Sequence, residues 1–209
     1  MTEPRIAPLE PPYDTATAAM LEKWMPPDAG VEPLRLFRTL LVHASLAARM
    51  RPLGAGILGH GVLEPRVREL MILRTCARCG AEYEWGVHAA IFAASVGLAP
   101  PELAATALGS PDEPDDDDPS DPDDPDDSVW SDRDRAVIRL ADELRDSARV
   151  SDAAHAELER HFGAEEILEL VVTAGWYHTI SFVVNAAGVE LEPWAARFPR
   201  ARGATPGRP

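Results

Sequence analysis

Residues 165–187 run almost unbroken through apolar side chains, and no other segment limits the fold as tightly. The run is too long for a strand and long enough for a helix crossing a bilayer. Glu169, His178 and Asn185 interrupt it, which argues against a membrane span. A helix apolar on most of its faces belongs instead at the centre of a fold, or buried between subunits.

The rest of the chain repeats the helical period. Thr15 to Met25 reads as a short helix closed by Pro26-Pro27, and Leu34, Phe37, Leu40, Leu41 and Leu46 recur at helical spacing after it. Pro52 with Gly54, Gly56, Gly59 and Gly61 predicts a loosened stretch over 52–61. Pro65 suits a first helical turn, and Val67, Leu70, Met71 and Cys76 form a stripe that ends near Cys79, before Gly80. A further helix spans about 82–97, a short one 101–108. Ser131 with Asp134, and Ser151, look like N-terminal caps of two more. Period-2 alternation with hairpin signals is missing throughout. The expected class is therefore all-α.

The formal charge of −15 is mostly local. Residues 111–127 hold eleven acids and no base, so the remainder carries −15 + 11 = −4. That run has no apolar side chain to offset ordering entropy and reads as a disordered, solvated insertion. Neither part offers the basic face a nucleic-acid surface needs. The expected organisation is a Pro-rich extended arm at 1–15, a helical domain at 16–195 and a disordered tail at 196–209. The N-terminus lacks an apolar signal core, and two cysteines give no disulfide framework, so a cytoplasmic protein is expected.

Glu84 and His88 stand four residues apart on one helix face, with Glu69 one helix earlier. A carboxylate can fix the tautomer of an imidazole and raise its basicity, which makes proton-transfer chemistry the sharp reading. A solvated ion pair is the bland one, but Trp85, Ile91 and Phe92 nearby point to partial burial. Cys76-x-x-Cys79 sits near a helix C-terminus, where the dipole disfavours a thiolate, although Arg74 and Arg78 partly counter this. A zinc site would need a second half that the sequence does not supply. Glu84, His88 and His178 are the remaining trio that could hold a metal, and no metal or other cofactor is expected.

The stretch Arg68-Glu69-Leu70-Met71-Ile72-Leu73-Arg74, followed by Tyr83, Glu84, Trp85 and His88, resembles the carboxymuconolactone decarboxylase and alkylhydroperoxidase D superfamily. The likeness extends from about residue 20 to about 193 and implies a helical bundle assembled as a trimer or hexamer. In the peroxidase branch a Glu is followed after eleven residues by CxxC and then His. Glu69 and His88 match, but the cysteine positions fall on Ala81 and Glu84. Cys76 and Cys79 lie five residues early, a rotation of roughly 140° on a helix. The decarboxylase branch carries Glu-x-x-x-His, which Glu84 and His88 match.

The resemblance thus implies cofactor-independent acid–base chemistry of the decarboxylation type on a small organic acid or lactone. Glu69, Glu84 and His88 are the expected catalytic residues, with His88 delivering a proton, Glu84 holding its other nitrogen and Glu69 completing a relay. Tyr83, Trp85, Arg74 and His178 are the candidates for substrate contact. A thiol peroxidase using Cys76 and Cys79, or an oligomeric binding protein without catalysis, are the alternatives.

Overall fold

The computed structural model describes residues 3–25, 32–109 and 129–199; the acidic run lies outside them. Helices α1 (Thr15–Trp24), α2 (Arg35–Leu40), α3 (Ala44–Gly59), α4 (Pro65–Arg78), α5 (Glu82–Ile91), α6 (Pro100–Leu108), α7 (Asp132–Ser147), α8 (Asp152–His161) and α9 (Ala164–Ala187) follow in chain order. A 3-10 turn, Leu41–His43, joins α2 to α3. There is no strand among the described residues. The all-α expectation holds.

α4 is the central element, packing against α5, α6, α7 and α9. Leu70, Met71, Ile72, Leu73 and Cys76 are fully buried, and Leu140, Leu158, Leu170 and Ile180 join them in one core. Pro65 occupies the first turn of α4, and the chain turns at Gly80, whose φ of 62° favours a residue without a Cβ. Ser131 caps α7 by accepting from the Asp134 N–H at 3.1 Å, and Ser151 caps α8 through Ala154 at 3.2 Å. α9 is long and apolar enough to cross a membrane. Leu170, Thr173, Ala174, Tyr177, Ile180, Ser181 and Val184 line its buried face, and that packing accounts for part of its apolar composition.

Three boundaries differ from expectation. The 52–61 stretch is not loose: α3 continues through Pro52 to Gly59. Proline removes one helical hydrogen bond, but Ala47, Gly54 and Ile57 are buried on the same helix and keep it intact. α5 stops at Ile91 instead of 97, with Phe92 as its C-cap and turns beyond. Packing also runs past 195: the Ala196 N–H donates to Gly86 O at 3.1 Å, and the Phe198 ring lies 5.3 Å from that of Trp85. At the other end the Pro-rich arm is tied down, with Arg5 N–H donating to Ala187 O and Leu9 N–H to Arg38 O.

Candidate active site

α4 and α5 bring Glu69, Glu84 and His88 together beneath the surface, at 0%, 7% and 3% exposure. His88 Nδ1 lies 2.7 Å from Glu69 Oε2, and Glu69 Oε1 accepts from Arg68 Nε at 3.2 Å. On the other side of the ring, Nε2 stands 3.5 Å from Glu84 Oε1, longer than a normal hydrogen bond. The tight partner that fixes the imidazole is therefore Glu69. Glu84, expected to hold the ring, is the looser neighbour. Its second oxygen, Oε2, is buried without any hydrogen-bond partner.

Charge counting favours a protonated ring. Two carboxylates face one guanidinium, Arg68, so an imidazolium brings the cluster to neutrality. Burial works to discharge His88, but the charge and hydrogen bond of Glu69, aided by Glu84, outweigh it and lift its pKa to about 9. At neutral pH both ring nitrogens carry protons: Nδ1–H is held by Glu69 and Nε2–H is directed toward Glu84.

Glu84 and His88 open onto a cavity of about 540 Å³. Its walls come from α1 (Trp24), α2 (Leu36, Phe37), α3 (Gly54, Leu58), α5 (Val87), α9 (Trp176, Tyr177, Ile180) and the C-terminal segment (Trp194). Apart from Glu84 and His88 its charged residues are Lys23 and Arg51, neither of which forms an ion pair among the described residues. The Tyr177 ring meets His88 edge-on at 5.1 Å, and Phe92 lies at 5.1 Å on another side. Tyr177 and Trp176 escaped the sequence reading, which stopped at His178 next to them. The signal was available: a helix buried against α4 must turn positions 173, 177 and 181 inward together.

None of the four residues expected to contact substrate lines this cavity. Arg74 is buried and clamped, with Nε and Nη2 each 2.7 Å from the Asp142 carboxylate, and Nη1 donating to the Thr106 and Gly109 carbonyls. Trp85 is buried and donates to Thr106 Oγ1 at 2.9 Å. Tyr83 donates to Glu192 Oε1 at 2.7 Å and accepts from Leu36 N–H at 3.1 Å, while Glu192 also accepts from Arg35 N–H. Together they satisfy the first amides of α2, which has no capping side chain of its own. Tyr83 thus holds a cavity wall in place from behind.

His178 is half-buried, donates its Nδ1–H to Ala174 O at 2.9 Å, and pairs with Cys79 rather than with Glu84. That hydrogen bond lifts the His178 pKa. Burial alone would raise the Cys79 thiol, but His178 and, more weakly, Arg145 lower it. Cys76 is fully buried, and burial followed by the Glu84 charge pushes its thiol well up. Both cysteines are free. His178 does not join Glu84 and His88, and no group of three metal-ligand side chains gathers among the described residues.

Residues 44–110, which contain Glu69, both cysteines, Glu84 and His88, match the model of the carboxymuconolactone decarboxylase family. Over that segment the chain is similar to the carboxymuconolactone decarboxylase family. No curated protein matches it. Among solved structures, the chain is similar to an uncharacterized peroxidase-related protein from Silicibacter sp. TM1040, at 15% identity and a TM-score of 0.71, covering 95% of this chain and 100% of that one. It is similar to an alkylhydroperoxidase AhpD core protein from Ralstonia eutropha JMP134, at 16% identity and 0.70, covering 92% and 95%. It also resembles the debrominase Bmp8 crystallised with 2,3,4-tribromopyrrole, at 13% identity and 0.71, covering 92% and 94%. At such identities the likeness establishes the fold.

Proposed function

We propose that this protein is a cofactor-independent acid–base catalyst of the decarboxylation type, acting on a small organic acid or lactone in the Glu84–His88 cavity. The observation that carries this reading is the buried cluster in which Glu69 holds the His88 ring by Nδ1 while Nε2, only loosely approached by Glu84, lies at the wall of a largely apolar cavity. Loss of CO2 from a conjugated acid leaves an electron pair delocalised on carbon. His88 Nε2–H donates its proton to that carbon, a C–H bond forms, and the neutral imidazole recovers a proton from solvent. Glu69 positions the ring and favours its protonated form. Positioned proton transfer of this kind supplies about 10²–10⁴-fold. Arg51 and Lys23 take the place of the occupied Arg74 as cations for a substrate carboxylate.

A panel of lactone and unsaturated acids, assayed for CO2 release, tests the proposal. His88→Ala should lose turnover by at least about 10²-fold with its circular dichroism unchanged. Turnover retained at the wild-type rate in that variant would remove His88 from the chemistry.

A second reading has one specific observation in its favour, the Cys79–His178 pair. A Cys79 thiolate would attack a hydroperoxide, giving a sulfenic acid and an alcohol. Cys76 would then condense with it, releasing water and forming a disulfide that a dithiol reductant reopens. Full burial of Cys76 and its raised pKa weigh against this. Peroxide consumption that disappears in Cys79→Ser would establish it; equal consumption in wild type and variant would exclude it.

A further inference from the structure

Glu84 is a buried carboxylate with too few donors. Oε2 has no partner, and Oε1 has only the 3.5 Å approach of the His88 ring. An ionised carboxylate offers about four acceptor sites, and leaving them empty in an apolar surrounding is costly. Rotation about its last torsion, which is broad, exchanges the two oxygens at the cavity wall. Water in the cavity serves whichever oxygen is turned toward it. A ligand that expels the water must replace its hydrogen bonds or bind poorly.

The walls around this acceptor are unusually aromatic. The chain has five tryptophans, three tyrosines and five phenylalanines, and Trp24, Phe37, Phe92, Trp176, Tyr177 and Trp194 all meet here. Flat rings favour flat, conjugated ligands through offset and edge-on contacts.

We infer that the cavity selects planar conjugated molecules carrying an N–H or O–H donor, and that Glu84 is the group that reads the donor. The inference takes from the proposed function only that the substrate occupies this cavity. It adds a selection rule that shape alone does not provide. A site built to pair a donor rejects the analogue lacking it far more strongly than it rejects one methyl group too many.

Isothermal titration of the full-length protein with indole and with 1-methylindole tests it, since the two differ at a single donor. Wild type should bind indole about tenfold or more tightly than the methylated probe, as a hydrogen bond to a charged acceptor supplies. Glu84→Leu should bring the two affinities within about threefold of each other. Glu84→Gln, which keeps an acceptor oxygen but no charge, should fall between and stands in if the leucine variant does not fold. Equal affinities in wild type, absence of binding by either probe, or a preference undiminished in the variants would each overturn the inference. Binding is read without turnover, so the two ideas fail separately. Donor preference without catalysis sinks the acid–base proposal alone, and catalysis without donor preference sinks this one alone.

Discussion

His88 sets a pH window that can be worked out from its environment. Its pKa is raised from an ordinary 6.5 to about 9 in the fold. A raised value means that the charged ring stabilises the folded state fully below about pH 6.5, and that this contribution fades as pH rises through about 9. Thermal melts of wild type should therefore lose stability over that interval relative to His88→Gln, which has no proton to lose; parallel curves would contradict it. Arg74 gives the opposite kind of test. Removing it leaves Asp142 with only the Arg78 guanidinium at 3.2 Å and takes the donor from the Thr106 and Gly109 carbonyls, so Arg74→Ala should cost about 3 kcal/mol in denaturant unfolding. Turnover per folded molecule should stay near wild type, because Arg74 lies outside the cavity.

At the scale of elements, the Glu69–Glu84–His88 cluster was legible because it is local. Glu84 and His88 are one turn apart on α5, and the Gly80 turn folds α5 back onto α4. The cavity was not legible, since its walls come from helices far apart in sequence that meet only on packing. α3 shows the reason. Its proline and glycines read as a break, whereas Gly54 is the place where the Trp176 ring approaches the helix. A Cβ there would lie 2.9 Å from the ring. Alanine at 54 gains about 1 kcal/mol of helix propensity. It must also displace Trp176, so Gly54→Ala should weaken indole binding severalfold with little change in unfolding free energy. Unaltered binding would mean that Trp176 is not a wall of the binding site. Tyr83 and Trp85 were singled out for their place beside the motif, and their hydrogen bonds assign them to scaffolding instead.

At the scale of the whole molecule, α9 still has an unburied apolar side. Leu168 and Phe182 are 65% and 64% exposed, with Val172 between them at 39%, at spacings that share one helix face. A homo-oligomer that covers this stripe, which we propose as a trimer or hexamer, should give a multiple of 22.7 kDa in light scattering. Phe182→Glu should shift it to the monomer, and a monomeric wild type would count against assembly through α9. The acid–base proposal itself is tested most directly by ¹⁵N NMR of the histidines in the full-length protein. His88 should titrate as an imidazolium with a midpoint near 9, falling toward ordinary histidine values in Glu69→Gln. A His88 ring already neutral at pH 7 would leave no proton at Nε2 to deliver, and a midpoint indifferent to loss of the Glu69 charge would remove Glu69 as the group that holds the ring protonated.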